Sequence, residues 1–137
     1  MKETELRIGN LVKFYDEGGE IVHITGIYKS NGSWFVDYWF DCTGVKGSSL
    51  LQEFEQIPIT EEWLLKFGFK VSPAGNSIYL PVPELKAEIH FEGFMKKLVC
   101  VLYCSTGSFI PNNIQHIHQL QNLYFALTGE ELVCQKL

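Results

Sequence analysis

The run from Asn113 to Leu127 constrains the architecture more than any other stretch. Ile114, Ile117, Leu120, Tyr124 and Leu127 recur at steps of three and four, with Leu123 beside them, which is the stripe of an amphipathic helix. Thr128-Gly129 follows, and glycine supplies the left-handed position that closes a helix. A helix apolar on one side only has to lie on a second layer. The segment therefore reads as scaffold, with His116 and His118 expected on its solvent side.

What precedes it reads as a β meander. Leu6 to Tyr15 is a strand candidate interrupted by Gly9-Asn10, Asp16 to Gly19 a hairpin turn, and Glu20 to Lys29 a stretch rich in β-branched residues. Ser30-Asn31-Gly32-Ser33 contains the Asn-Gly hairpin signal, and Trp34 to Asp41 is the next strand. Gly44 to Ser49 reads as a loop leading to a fourth strand from Leu51 to Ile59. Short strands with turns every 8–12 residues predict a small barrel or a strongly bent sheet.

At Thr60 the pattern changes. Thr60 is an N-cap candidate, Glu61 and Glu62 sit in the positive first turn, and Trp63, Leu64 and Phe67 share a helix face before Gly68. Strands are expected at Phe69–Ser72, Ser77–Leu80, Lys86–Glu92 and Lys97–Cys104, with a turn at 73–76, a break at Pro81-Val82-Pro83 and a turn at Gly93. The expected class is α+β. Residues 1–58 form a small β-barrel-like unit, and residues 59–137 form a unit of helix, three to four strands and a C-terminal helix packed on the sheet. Pro58 stiffens a junction without Gly or Ser, so the two units are expected to be tightly associated.

Composition narrows the function classes. At 46% hydrophobic and 14% aromatic, the 137 residues hold enough apolar material for a core. The net charge of −5 and the single arginine, Arg7, disfavour nucleic acid and anionic membrane surfaces as partners. The charged start Met1-Lys-Glu-Thr-Glu5 lacks a following apolar run, and no stretch approaches the ~20 apolar residues that span a bilayer. A cytoplasmic location is expected. Cys42, Cys100, Cys104 and Cys134 are then expected as free thiols, each acting as a small buried hydrophobe.

No segment carries a specific catalytic signature, so no catalytic residue, metal or cofactor is expected. On a helix His116 and His118 point about 200° apart, and Cys100 and Cys104 are separated by roughly 13 Å along a strand, too far for one zinc ion. Cys104-Ser-Thr-Gly-Ser108 precedes the two histidines but lacks a nucleophile elbow or a following arginine. Glu61-Glu62 and Glu130-Glu131 are adjacent residues whose side chains diverge. Thr43-Gly-Val-Lys-Gly-Ser-Ser49 reads as a solvated hairpin loop rather than a phosphate cradle.

Three segments resemble one family. Glu5-Leu-Arg-Ile-Gly-Asn-Leu-Val12, Ile59-Thr-Glu-Glu-Trp-Leu-Leu-Lys-Phe-Gly-Phe69 and His118-Gln-Leu-Gln-Asn-Leu-Tyr-Phe-Ala-Leu-Thr-Gly-Glu-Glu-Leu132 are similar to an uncharacterised bacterial family of short proteins, a domain of unknown function associated with gut-anaerobe genomes, prophages and mobile elements. The resemblance implies a bacterial, intracellular, accessory protein. It supplies no activity, ligand or catalytic residue.

The remaining functional signal is the aromatic strand. In Trp34 to Asp41 the even positions Trp34, Val36, Tyr38 and Phe40 form an apolar face assigned to the core. Phe35, Asp37, Trp39 and Asp41 then make an opposite face of alternating aromatics and acids, suited to a neutral or cationic protein or small ligand. A non-enzymatic interaction module is the first reading. A nucleic-acid-associated accessory protein of a mobile element is the second, and an enzyme using Cys104 to His118 the third.

Overall fold

The computed structural model describes residues 1–16, 19–94, 97–111 and 114–134. Glu17 and Gly18 of the first expected turn, Lys96 and Asn113 lie outside the described residues. The class is α+β, with two antiparallel five-stranded sheets and two α-helices among the described residues. Two compact units divide the chain: residues 1–57 with 116–122, and residues 58–115 with 123–137. No helix among the described residues is long and apolar enough to cross a membrane.

The first unit is built from β1 (Leu11–Phe14), β2 (Ile21–Ser30), β3 (Ser33–Phe40), β4 (Lys46–Leu50) and β5 (Phe54–Glu55) in the order β4-β3-β2-β1-β5. A 3-10 turn over Leu51–Glu53 returns the chain so that β5 pairs with β1. The sheet is open. The expected barrel is not closed, since β4 and β5 stand at its two edges.

Asn31 and Gly32 both take positive φ, 50° and 79°, which is the type I′ hairpin geometry their sequence calls for. Beyond that turn the register slips by one residue between Ile24 and Gly26. This bulge turns Ile24 into the core and His23 to the outer face. The core gathers Leu6, Val12, Val22, Ile24, Val36, Tyr38 and Phe54, with Phe14 stacked among the rings of Tyr38, Phe40 and Phe54.

The expected loop at Gly44–Ser49 is mostly strand β4, and the expected strand from Leu51 is the 3-10 turn and β5. Gly47 explains the shift, because it faces Tyr38 and a Cβ there would lie 2.6 Å from the phenolic oxygen. Glycine opens β4 to a buried ring rather than breaking it. Gly47→Val should lower stability by about 1–3 kcal/mol through overpacking, read as a lower urea midpoint at unchanged slope. An unchanged midpoint would show that the ring moves freely.

In the second unit, α1 (Glu61–Lys66) starts as expected, with Thr60 Oγ1 accepting the Trp63 N–H at 3.3 Å. It is followed by β6 (Lys70–Val71), β7 (Ser77–Val82), β8 (Ala87–Phe94), β9 (Lys97–Cys104) and β10 (Gly107–Phe109), in the order β10-β9-β8-β7-β6. The expected break at Pro81 falls instead at a 3-10 turn over Pro83–Leu85. Pro81 is tolerated because β6 pairs only with Ile78 and Tyr79, leaving this end of β7 an edge. Leu64, Phe69, Ile78, Ile89, Phe91 and Leu102 are buried in this unit.

The helix α2 (Ile117–Thr128) ends at Gly129, φ 75°, as the sequence predicts, but begins later. The Gln119 side chain accepts the His116 N–H at 3.0 Å, half of a capping box that sets the start at Ile117. Its buried residues are Ile117, His118, Leu120 and Gln121, whereas Tyr124 and Leu127 are only half-buried. The expectation of surface histidines and a uniformly apolar stripe is thus corrected. The stripe is polar in part because backbone groups of the first unit need partners. Gln121 Oε1 accepts the Leu11 N–H at 2.8 Å and its Nε2 donates to the Gly9 carbonyl at 3.2 Å. Buried Asn10 donates to Asn122 Oδ1 at 2.9 Å, and its own Oδ1 accepts the Arg7 N–H at 2.7 Å. Residues 116–122 accordingly belong with the first unit, rather than with the second sheet on which the whole helix was expected to lie.

Candidate functional site

Alternation along β3 places Val36 and Tyr38 in the core and Phe35, Asp37 and Trp39 on the outer face, each half-buried. The pairing of β2, β3 and β4 then decides what stands beside them. Phe35 lies between Tyr28 and Leu50, Asp37 between Gly26 and Ser48, and Trp39 between His23 and Lys46.

Each aromatic residue has a ring partner across the β2–β3 ladder. Phe35 stacks on Tyr28 with centroids 5.5 Å apart and planes 12° from parallel. Trp39 stacks on His23 at 3.7 Å and 5°. The pairs are held at their margins, because Tyr28 Oη lies 3.0 Å from Ser48 Oγ and His23 Nε2 lies 2.7 Å from Asp41 Oδ1. Asp41 follows the end of β3 and is exposed, so it buttresses the His23–Trp39 pair rather than continuing the strand face.

Between the ring pairs lie Gly26, Asp37 and Ser48. Asp37 sits there over Gly26, where an added Cβ would come within 3.2 Å of its Oδ2, and Ser48 is its neighbour on the other side. The face therefore sets a carboxylate between two stacked ring pairs. Its charge differs in one respect from the alternating pattern on β3. Lys46 stands opposite Trp39, so the Asp37 and Asp41 carboxylates share the face with the basic side chains of Lys46 and His23.

His23 and Tyr28 are the contributors missing from the strand reading. Tyr28 follows from counting back through the Asn31-Gly32 turn, which sets it opposite Phe35. His23 depends on the bulge, for which the sequence carries no marker.

The other candidates separate clearly. His118 is fully buried, and neither ring nitrogen has a hydrogen-bond partner among the described residues. Cys104 lies at the end of β9, where the Thr106 hydroxyl, 3.2 Å from its sulfur, holds the thiol below its ordinary range. Cys100 is buried, and burial pushes its thiol up to about 12. Cys42 and Cys134 are exposed, contrary to the expectation that every cysteine fills a core position. Among the described residues no three His, Cys, Asp or Glu side chains are grouped to hold a metal ion.

No family model matches the chain, and no curated protein and no solved structure shows significant similarity to it.

Proposed function

We propose that the first unit is a non-enzymatic interaction module that takes a neutral or cationic protein or small ligand on the outer face of β2, β3 and β4. Phe35 and Trp39 are the anchors, and Asp37 and Asp41 supply the charge. The observation that carries the reading is the pair of stacked ring couples on either side of Asp37. Rings already packed against a neighbour lose little rotamer freedom on binding, so their contact area converts efficiently into affinity. A carboxylate between two aromatic faces favours a lysine, arginine or amine over a phosphate, since ring faces and carboxylate both attract cations. The accessory role that the resemblance implies fits a recruiting function.

The experiment is capture from extracts of the source cell, followed by titration of the purified partner against wild type and a Phe35→Ala/Trp39→Ala double variant. Circular dichroism checks that both are folded. Truncating an aromatic anchor costs about 2 kcal/mol or more, so the double variant should weaken binding at least about 100-fold. Equal affinities would sink the reading. A nucleic-acid partner whose binding falls steeply with salt would replace it with the accessory role on nucleic acid.

A further inference from the structure

The second unit carries a separate constellation, independent of the aromatic face. An open cleft of about 530 Å³ lies over β7, β8 and β9. Ser77, His90 and Glu88 meet on its wall, with Glu92 and Tyr103 beside them. The His90 ring touches a hydroxyl on one side and a carboxylate on the other. Its Nδ1 lies 3.2 Å from Ser77 Oγ and its Nε2 lies 3.0 Å from Glu88 Oε1.

We propose that Ser77, His90 and Glu88 form a nucleophile relay and that this cleft hydrolyses carboxylic esters with a neutral or cationic leaving group. The tautomer is dictated by the partners. A carboxylate only accepts, so the neutral imidazole carries its proton on Nε2 and points it at Glu88. Nδ1 is then a lone pair, and the Ser77 hydroxyl donates to it. A serine hydroxyl that donates to a neutral imidazole oriented by a carboxylate is the arrangement that activates a hydroxyl for attack. Which ring nitrogen serves which partner does not alter the proton transfer.

The imidazole is also fixed in place. Tyr79 stacks on it at 5.3 Å and 18°, and Tyr103 meets it edge-on at 4.7 Å and 75°. Tyr103 is itself anchored by donating its hydroxyl proton to Glu92. The Ser77 backbone is tied to Ser72 in both directions, donating to its Oγ at 3.3 Å and accepting its N–H at 2.9 Å. Asn76 Oδ1 accepts the Ser72 hydroxyl at 3.0 Å, which leaves the Asn76 amide NH2 as the side-chain donor available for a developing oxyanion.

In the reaction, Ser77 Oγ bonds to the ester carbonyl carbon while its proton passes to His90 Nδ1. The tetrahedral adduct collapses, the carbon–alkoxy bond breaks, and the alcohol leaves with the proton from His90. Water then adds to the acyl-serine with His90 again taking the proton, and collapse returns it to Ser77 Oγ. The sum is ester plus water giving acid plus alcohol, with no other reactant. The carboxylates of Glu88 and Glu92, with no lysine or arginine among the described lining residues, set the charge preference.

The test uses the full chain with p-nitrophenyl acetate as substrate and an alkyl fluorophosphonate as label. A positioned general base contributes about 10²–10⁴-fold, so Ser77→Ala and His90→Ala should each lower the rate at least about 100-fold. The phosphonate should map to Ser77. Glu88 acts through His90 as a positioning residue, so Glu88→Gln should lower kcat while leaving KM unchanged. A melting curve confirms that each variant is folded, and Ser77→Cys, which retains a nucleophile of similar size, should still be acylated. Equal rates for wild type and Ser77→Ala, or a label mapped to another residue, overturn the proposal.

Discussion

Leu120→Ala will remove about 2–5 kcal/mol of stability. Leu120 is fully buried on α2, one residue before the amide that bridges Gly9 and Leu11. Deleting its isobutyl group leaves a cavity on a helix held by few apolar side chains, since only Ile117 and Leu120 on α2 are buried hydrophobics. It also loosens the position of Gln121, whose hydrogen bonds satisfy backbone groups that would otherwise be buried without partners. Both effects act in the same direction and place the loss toward the upper end. Against a typical domain stability of about 5–15 kcal/mol this is enough to populate the unfolded chain measurably. Urea denaturation followed by tryptophan fluorescence checks it; a loss below about 1 kcal/mol would mean that the site collapses around the gap.

The elements differ in how far local signals reach. The Asn31-Gly32 turn sets its own geometry, and pairing counted outward from it places Tyr28 beside Phe35 correctly. That count fails at Trp39, because the bulge near Thr25 adds a residue that no turn signal announces, and with it His23 changes face. Strand β4 was hidden by Gly47 and its serines, which read as a loop; only the ring of Tyr38 across the ladder gives that glycine a reason. On α2 the apolar period reveals a buried face but counts Gln121 and His118 as solvent residues. The burial of Gln121 answers to Gly9 and Leu11, more than a hundred positions away. The relay in the second unit has the same origin, for Ser77 and His90 become neighbours only through the register of β7 with β8.

His118 makes the stability of the first unit depend on pH in a defined window. Burial is the largest cause of its depressed pKa, about 4, and the charge on His116 and the chain's amino terminus push in the same direction while Glu5 opposes them. The folded protein therefore keeps the imidazole neutral where the unfolded chain, with an ordinary histidine near 6.5, already takes up a proton. Stability is full above pH 6.5, falls as the pH drops toward about 4, and then loses no more from this group. The total is on the order of 3 kcal/mol. His118→Leu removes both the titration and two ring nitrogens that lack partners among the described residues, so at pH 7 it should match the wild type or exceed it. Urea midpoints at pH 7, 6, 5 and 4.5 in both proteins separate this group from the carboxylates, which titrate alike in the pair. Wild type should lose ground to the variant at each step below pH 6.5, and parallel curves would show that the imidazole is charged in the folded state.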